Sequence, residues 1–255
     1  MIDSKVIKAA DYLREKNIEP QCFVVLGSGH GDLFGQLGLD TIDIEYEDIP
    51  NMPPITVAGH SGLASFDPKS EIIFFRGRKH FYEGVRPEDI TFAHRLSYEL
   101  GARKGIVTCS AGSVNPYFSV GDIVQVVDYI DMQNIMPLPS ISREDISNFH
   151  APDMAEIALK NGINLRRGIL MALLGPTYET NAEVEMIREL GADLASMSTA
   201  PEIFAMRRMQ GLEWMSFAVV TNVAAQMEEA NHDEVLQEAR KASLKLLRMI
   251  IDYCV

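Results

Sequence analysis

Cys22-Phe23-Val24-Val25-Leu26-Gly27-Ser28-Gly29-His30-Gly31 is the stretch that decides the fold class. Its first five residues are apolar with no polar alternation, the pattern of a strand buried on both faces. Glycines at 27, 29 and 31 then interrupt the chain, as at a tight turn leading into a helix. The strand pattern recurs at Glu71-Ile72-Ile73-Phe74-Phe75, Gly105-Ile106-Val107-Thr108-Cys109 and Asp122-Ile123-Val124-Gln125-Val126-Val127. It recurs again at Ile169-Leu170-Met171-Ala172-Leu173-Leu174 and Met215-Ser216-Phe217-Ala218-Val219-Val220. Helical periodicity covers 3–17, 87–101, 152–162, 180–190, 200–211 and 232–252. Strands of this kind alternating with helices predict an α/β fold: one central sheet, mixed but mostly parallel, flanked by helices. With no long linker, repeat or low-complexity tract, residues 1–255 read as a single domain.

The bulk numbers exclude several classes. A net charge of -13 leaves no basic stripe for a nucleic-acid backbone, so an anionic substrate must meet a local cluster of donors. Cys22, Cys109 and Cys254 lack metal-ligand spacing and are odd in number, which suggests a reduced, cytoplasmic protein with no metal site. No apolar run reaches the ~18 residues of a membrane span, and no signal-peptide core stands at the N-terminus.

In α/β sheets, ligands collect outside the carboxyl ends of strands. The polar motifs of this chain fall there. In Arg78-Lys79-His80-Phe81-Tyr82-Glu83, an extended backbone would place Arg78, His80 and Tyr82 on one face. That face joins a permanent cation, a neutral-range titrating ring and a polar-tipped aromatic, which suits a phosphate beside a sugar; it also suits an exposed strand end. Gly27-Ser28-Gly29-His30-Gly31 reads as an anion cradle or as a plain strand–helix turn. Its spacing is neither the dinucleotide fingerprint nor a P-loop. Gly59-His60-Ser61-Gly62 offers an accessible imidazole, and Cys109-Ser110-Ala111-Gly112-Ser113 reads as a small-residue turn after a strand. Cys109 reads as a buried thiol, with no histidine near it in sequence. Thr180 with Glu183 forms a capping-box pattern, and Glu179 just before it reads as a surface acid favoured by the helix dipole or as an acceptor for a heterocycle's N–H groups. Ser198 or Thr199 caps a further helix with Pro201 in its first turn, and Met197 offers a soft apolar contact. Thr221-Asn222 ends the last strand, and Asn222 carries both a donor and an acceptor; Asn231-His232 precedes the final helix.

Taken in order, these segments resemble the trimeric purine nucleoside phosphorylase family, which also holds methylthioadenosine phosphorylases. Gly77-Arg78-Lys79-His80-Phe81-Tyr82-Glu83-Gly84, Gly175-Pro176-Thr177-Tyr178-Glu179-Thr180 and Met197-Ser198-Thr199-Ala200-Pro201-Glu202 carry most of the likeness. The resemblance implies phosphorolysis of inosine- or guanosine-type nucleosides to free base and α-ribose 1-phosphate. Inorganic phosphate would be the co-substrate, with no further cofactor, and the assembly a homotrimer. By motif match, Ser28, His60, Arg78, His80, Ser198 and the backbone around Ser110 would hold phosphate. Tyr82 and Met197 would line the ribose, and His232 would reach its 5′-hydroxyl. Tyr178, Glu179 and Asn222 would hold the base, and His80, Asn222 and Glu179 would carry the catalysis. The chain departs from the family at 109–113, where an Asn-Ala-Ala-Gly-Gly type of segment is usual, and at 134–152, which matches poorly. The same residues also admit a phosphorylase of 5′-modified nucleosides, or a non-catalytic nucleoside-binding protein.

Overall fold

The computed structural model describes residues 3–29, 31–57, 60–133, 152–223 and 232–255. Each predicted strand is present. β1 (Cys22–Val25), β4 (Ile72–Arg76), β5 (Lys104–Ser113), β6 (Ile123–Asp131), β7 (Arg166–Ala172) and β9 (Glu213–Val223) form the backbone of one sheet. β2 (Ile42–Glu45), β3 (Leu63–Asp67) and β8 (Leu194–Ser196) were not legible in the sequence. β2 exposes three of its four residues, so it lacks an apolar run, and β8 is only three residues long.

The strand order is β2-β3-β4-β1-β5-β8-β7-β6-β9, with β9 also pairing with β5. The strands from β5 round to β9 therefore close into a ring, which leaves them without a free edge. The pairs β1–β4, β1–β5, β5–β9, β6–β7 and β7–β8 are parallel. The pairs β2–β3, β3–β4, β5–β8 and β6–β9 are antiparallel, so the sheet is mixed as expected.

Helices cover both faces. α1 (Ser4–Arg14), α3 (Phe92–Glu99) and α6 (Ala200–Arg207) supply Leu13, Leu96 and Ile203 to one apolar cluster with Phe23 and Phe75. α4 (Ala155–Lys160) and α7 (His232–Cys254) supply Ala158, Leu246 and Ile250 to the other, with Phe74 and Phe217. Successive residues of β1 and of Ile72–Phe75 in β4 point to opposite clusters, which is why both runs are apolar. A smaller cluster forms under α5 (Asn181–Glu189) around Val184 and Ile187.

Three expectations are corrected. The helix expected over 87–101 is two: α2 (Pro87–Ile90) and α3 part at Thr91, whose φ of -95° and ψ of 8° leave the helical range. The segment after the glycine-rich turn is a 3₁₀ helix, Gly31–Leu37, too short and tight to add the α-helix dipole that the sequence suggested. Cys109-Ser110-Ala111-Gly112-Ser113 is not a turn after β5 but its last five residues.

Candidate active site

The site grows from the close approach of two strand ends. A Cβ on Gly27 would lie 2.8 Å from the Cys109 Cα and from the Thr108 carbonyl oxygen, so only glycine permits this contact. The Gly27 N–H donates to Thr108 Oγ1 at 3.1 Å, and Ser110 Oγ donates to the Ser28 carbonyl at 3.1 Å. The Ser110 hydroxyl that departs from the family pattern thus ties the Ser28 loop to β5. Ser28 Oγ lies 3.3 Å from His60 Nε2. Cys109 is buried, as the sequence suggested, and burial raises its thiol pKa.

Arg78, His80 and Tyr82 face one cavity, though by a different backbone from the one expected. The chain is extended at His80, with φ -126° and ψ 153°, and then Phe81–Glu83 turns as a 3₁₀ helix. The His80 ring stacks on Tyr82 with centroids 5.0 Å apart and on His60 at 5.7 Å. Glu83 anchors the stack. Its Oε1 accepts the His80 N–H at 2.6 Å and lies 3.3 Å from His80 Nδ1. Its Oε2 accepts from Lys79 Nζ at 2.9 Å and from the Thr56 hydroxyl. Burial would raise the Glu83 pKa, but these donors outweigh it and hold the carboxylate below its usual range. Burial, and then the Arg78 cation, push the His80 imidazole down to about 4. A neutral ring facing a carboxylate carries its proton on Nδ1 and leaves Nε2 as an acceptor towards the cavity.

This state has a pH signature. The folded protein keeps His80 neutral where the unfolded chain would protonate it near pH 6.5. The stability it contributes is therefore complete above pH 6.5 and is lost as pH falls towards about 4. Between these limits His80→Asn should flatten the wild-type loss of unfolding free energy by ~1.4 kcal/mol per pH unit. Urea unfolding at pH 7, 6 and 5 measures it; equal slopes in the two proteins would show that His80 is not held neutral.

The Arg78 side chain does not hang free in the cavity. The side chain is 2% exposed and its Nη1 donates to Glu202 Oε2 at 2.6 Å. Nη2 donates to the carbonyls of Val25 and Thr108. Glu202 is wholly buried, and burial raises its pKa against the pull of Arg78. The same Oε2 accepts the Thr199 N–H at 3.0 Å, at a residue with φ +82°. Ser198 Oγ lies 3.2 Å from both Ser196 Oγ and Thr199 Oγ1.

The far wall comes from the β7–α5 loop and the end of β9. Thr180 caps α5: its backbone N–H donates to Glu183 Oε2 at 2.7 Å, and Thr180 Oγ1 accepts the Glu183 N–H. Glu179 stands one residue before that cap, half-buried. Asn222 packs against β5, where a Cβ on Gly112 would lie 2.9 Å from Asn222 Nδ2. Thr221 Oγ1 donates to Asn222 Oδ1 at 3.3 Å.

These walls enclose a cavity of about 310 Å³. Ser28, Arg78, His80, Tyr82 and Ser110 line one part of it. Ser198, Met197, Tyr178, Glu179 and Asn222 line it too. His60 is not part of this lining but contacts two of its residues, Ser28 and His80. The side chain of His232, and His30, Gly59, Asn231 and residues 134–151, lie outside the described residues. No group of three or more metal-ligating side chains occurs among the described residues. Sequence reasoning passed over Glu202, whose signal was present: Thr199-Ala200-Pro201-Glu202 has capping-box spacing. It also passed over His94, buried on α3 with no local polar motif around it.

The sequence profile of the Phosphorylase superfamily matches residues 24–254. The chain belongs to that superfamily. Among phosphorylase relatives, purine nucleoside phosphorylase 1 of Geobacillus stearothermophilus is 35% identical, over 95% of this chain and 94% of that protein. A Schistosoma purine nucleoside phosphorylase in complex with hypoxanthine superposes with a TM-score of 0.80 at 27% identity, over 96% of this chain and 94% of the other. The Schistosoma mansoni enzyme in complex with inosine gives 0.78 at 27%, over 96% and 95%. The nucleoside phosphorylase fold expected from the sequence is therefore the fold this chain has.

Proposed function

We propose that this protein cleaves 6-oxopurine nucleosides with inorganic phosphate, giving free base and α-ribose 1-phosphate. The observation that carries the reading is the convergence, in one cavity, of an anion-suited wall and a purine-suited wall. Ser28, Arg78 and Ser198 supply side-chain donors on the first, with the backbone around Ser110 and with His60 in contact with Ser28, and Glu179 and Asn222 supply a carboxylate and an amide on the second. Tyr82 and Met197, between them, suit a ribose, and Tyr178 suits the base. His232 is assigned to the 5′-hydroxyl by motif alone. The relatives' names support the reaction, and the neighbour complexes with inosine and hypoxanthine match a substrate and its base.

Each wall acts where charge develops. Breaking the glycosidic bond builds positive charge on the sugar, which the phosphate anion offsets before bonding to the anomeric carbon. Negative charge grows on the purine, and the Asn222 amide bonds to its N7 and O6. His80 Nε2, held as an acceptor by Glu83, takes a hydrogen bond between phosphate and sugar. Holding the two reactants side by side supplies the proximity contribution.

The test is a nucleoside panel with phosphate. Inosine and guanosine are expected to exceed adenosine, and 5′-methylthioinosine to fall below inosine. A preference for the 5′-methylthio analogue would move the protein to the phosphorylases of modified nucleosides. Tight binding with no turnover of any nucleoside would make it a binding protein.

The same reading includes a homotrimer, a single domain over 1–255 and a cytoplasmic location. Leu174, Tyr178, Met186 and Leu190, on the segment from the end of β7 to the end of α5, are large apolar side chains exposed in the single chain, which a second copy would cover. Sedimentation equilibrium is expected to give three times the 28.4 kDa chain mass; a stable monomer or a hexamer would remove the trimer. Three cysteines, all free, suit a reducing compartment, and among the described residues no helix is long and apolar enough to cross a membrane.

A further inference from the structure

We infer that Glu202 is a positioning residue for the anion wall, fixing the Arg78 guanidinium and the Ser198 loop in one stroke. The inference rests on the reading that this wall holds phosphate. Glu202 Oε2 is the shared anchor: it accepts from Arg78 Nη1 at 2.6 Å and from the Thr199 backbone N–H at 3.0 Å. Arg78 comes from the segment leaving β4, and Thr199 follows Ser198 on the loop leaving β8. One carboxylate oxygen therefore joins two separate parts of the cavity lining.

Thr199 needs such a partner. Its φ of +82° is a conformation that a threonine adopts only when its surroundings over-determine it. The bond from its N–H to Glu202 is part of that constraint, and Ser198 is its immediate neighbour. Arg78 needs the partner as well. With Nη1 on Glu202 and Nη2 on two carbonyls, the guanidinium plane is fixed from behind. Its Nε–H is buried and has no hydrogen-bond partner among the described residues. Glu202 Oε1 and both ring nitrogens of the wholly buried His94 likewise have none among the described residues, though Oε1 lies 3.5 Å from His94 Nε2. A negative charge placed directly behind a phosphate site opposes phosphate electrostatically. If Glu202 were present only as a counter-charge, removing the charge would improve phosphate use. If it positions, losing its reach would harm phosphate use even with the charge kept.

Two conservative variants separate these. Glu202→Gln keeps the length and can keep an oxygen for both bonds, with its NH2 towards His94, but carries no charge. Glu202→Asp keeps the charge and loses the reach. Phosphate KM, nucleoside KM, kcat and Tm are measured for both. The expected result is a phosphate KM at least ~10-fold higher for Glu202→Asp, as for loss of a hydrogen bond to a charged group. Nucleoside KM should change less, and Glu202→Gln should stay within about threefold of wild type, the span of ordinary context effects. A general structural role would lower Tm and kcat without selecting phosphate, and that result overturns the inference. So does an unchanged phosphate KM in Glu202→Asp, or an equal rise in Glu202→Gln. If Glu202→Asp does not fold, Glu202→Ala, which removes both bonds, takes its place: the same ~10-fold rise in phosphate KM is expected, and an unchanged phosphate KM overturns the inference. Arg78→Lys distinguishes the underlying reading. If it leaves phosphate KM unchanged, Arg78 does not hold phosphate; if it raises KM while Glu202→Asp does not, only the positioning role fails.

Discussion

Arg78→Ala is expected to lower unfolding free energy by ~3–5 kcal/mol, the cost of leaving one partner of a buried ion pair alone. Both side chains are out of solvent, at 2% for Arg78 and 0% for Glu202. Without the guanidinium, the Glu202 carboxylate keeps, among the described residues, the Thr199 N–H on Oε2 and no hydrogen bond on Oε1. Burial already raises its pKa with Arg78 in place, and removing Arg78 raises it further. The sign of the pH dependence follows. A carboxyl whose folded pKa exceeds its unfolded one favours the folded state at low pH and loses that advantage as pH rises through the folded value. The deficit of the variant should therefore be larger at pH 8 than at pH 5. Urea unfolding at the two pH values measures it. A deficit under ~1 kcal/mol at pH 8 would mean that the pair contributes no more than an exposed one. The same reasoning disqualifies Arg78→Ala as a clean probe of phosphate, because a damaged fold and a lost ligand contact would be read together. Arg78→Lys keeps the charge and is the better probe.

Asn222→Asp is expected to shift the adenosine-to-inosine ratio of kcat/KM upward by about 10-fold or more, the cost of one unsatisfied buried group being ~1–3 kcal/mol. A 6-oxopurine presents an acceptor at O6, and an asparagine NH2 can donate to it while its carbonyl accepts from a protonated N7. Adenine presents an NH2 at that position, so the two donors would face each other. An ionised aspartate accepts from the 6-amino group and repels O6. Glu179, on the same cavity, accepts from the N1–H that hypoxanthine and guanine carry and adenine lacks. The Asn222 side chain packs against the bare face of Gly112, which limits its freedom to re-aim. Both ratios are measured on wild type and variant. A wild type that prefers adenosine, or a ratio unmoved by the substitution, would show that Asn222 does not read position 6.

Much of this was legible from side-chain pattern alone, and the parts that were not share a cause. β1 and β4 announce themselves because each is buried on both faces, so no polar residue interrupts them. β2 sits at the sheet's end with alternate charges, and β8 derives its place from pairing with β5 and β7 rather than from its own residues. The Thr180 capping box was readable because both partners are local. Ser110 was visible as a departure from the family, but its bond to the Ser28 carbonyl joins residues 82 positions apart and has no local signal. Arg78 was singled out as a cation for phosphate, yet its main partner lies 124 residues away. His94 is the extreme case. It sits on an amphipathic helix amid apolar neighbours, edge-on to Phe23, and its nearness to Glu202 exists only once α3 and α6 pack.

The central claim is that phosphate, not water, takes the sugar. Inosine should be incubated with the purified protein in phosphate-free buffer and then with inorganic phosphate, and the sugar product identified by ³¹P NMR. Negligible cleavage is expected without phosphate, and with it equal amounts of hypoxanthine and α-ribose 1-phosphate. Equal rates in both buffers, with free ribose as the product, would make the protein a hydrolase and contradict the assignment of Ser28, Arg78 and Ser198 to an attacking phosphate.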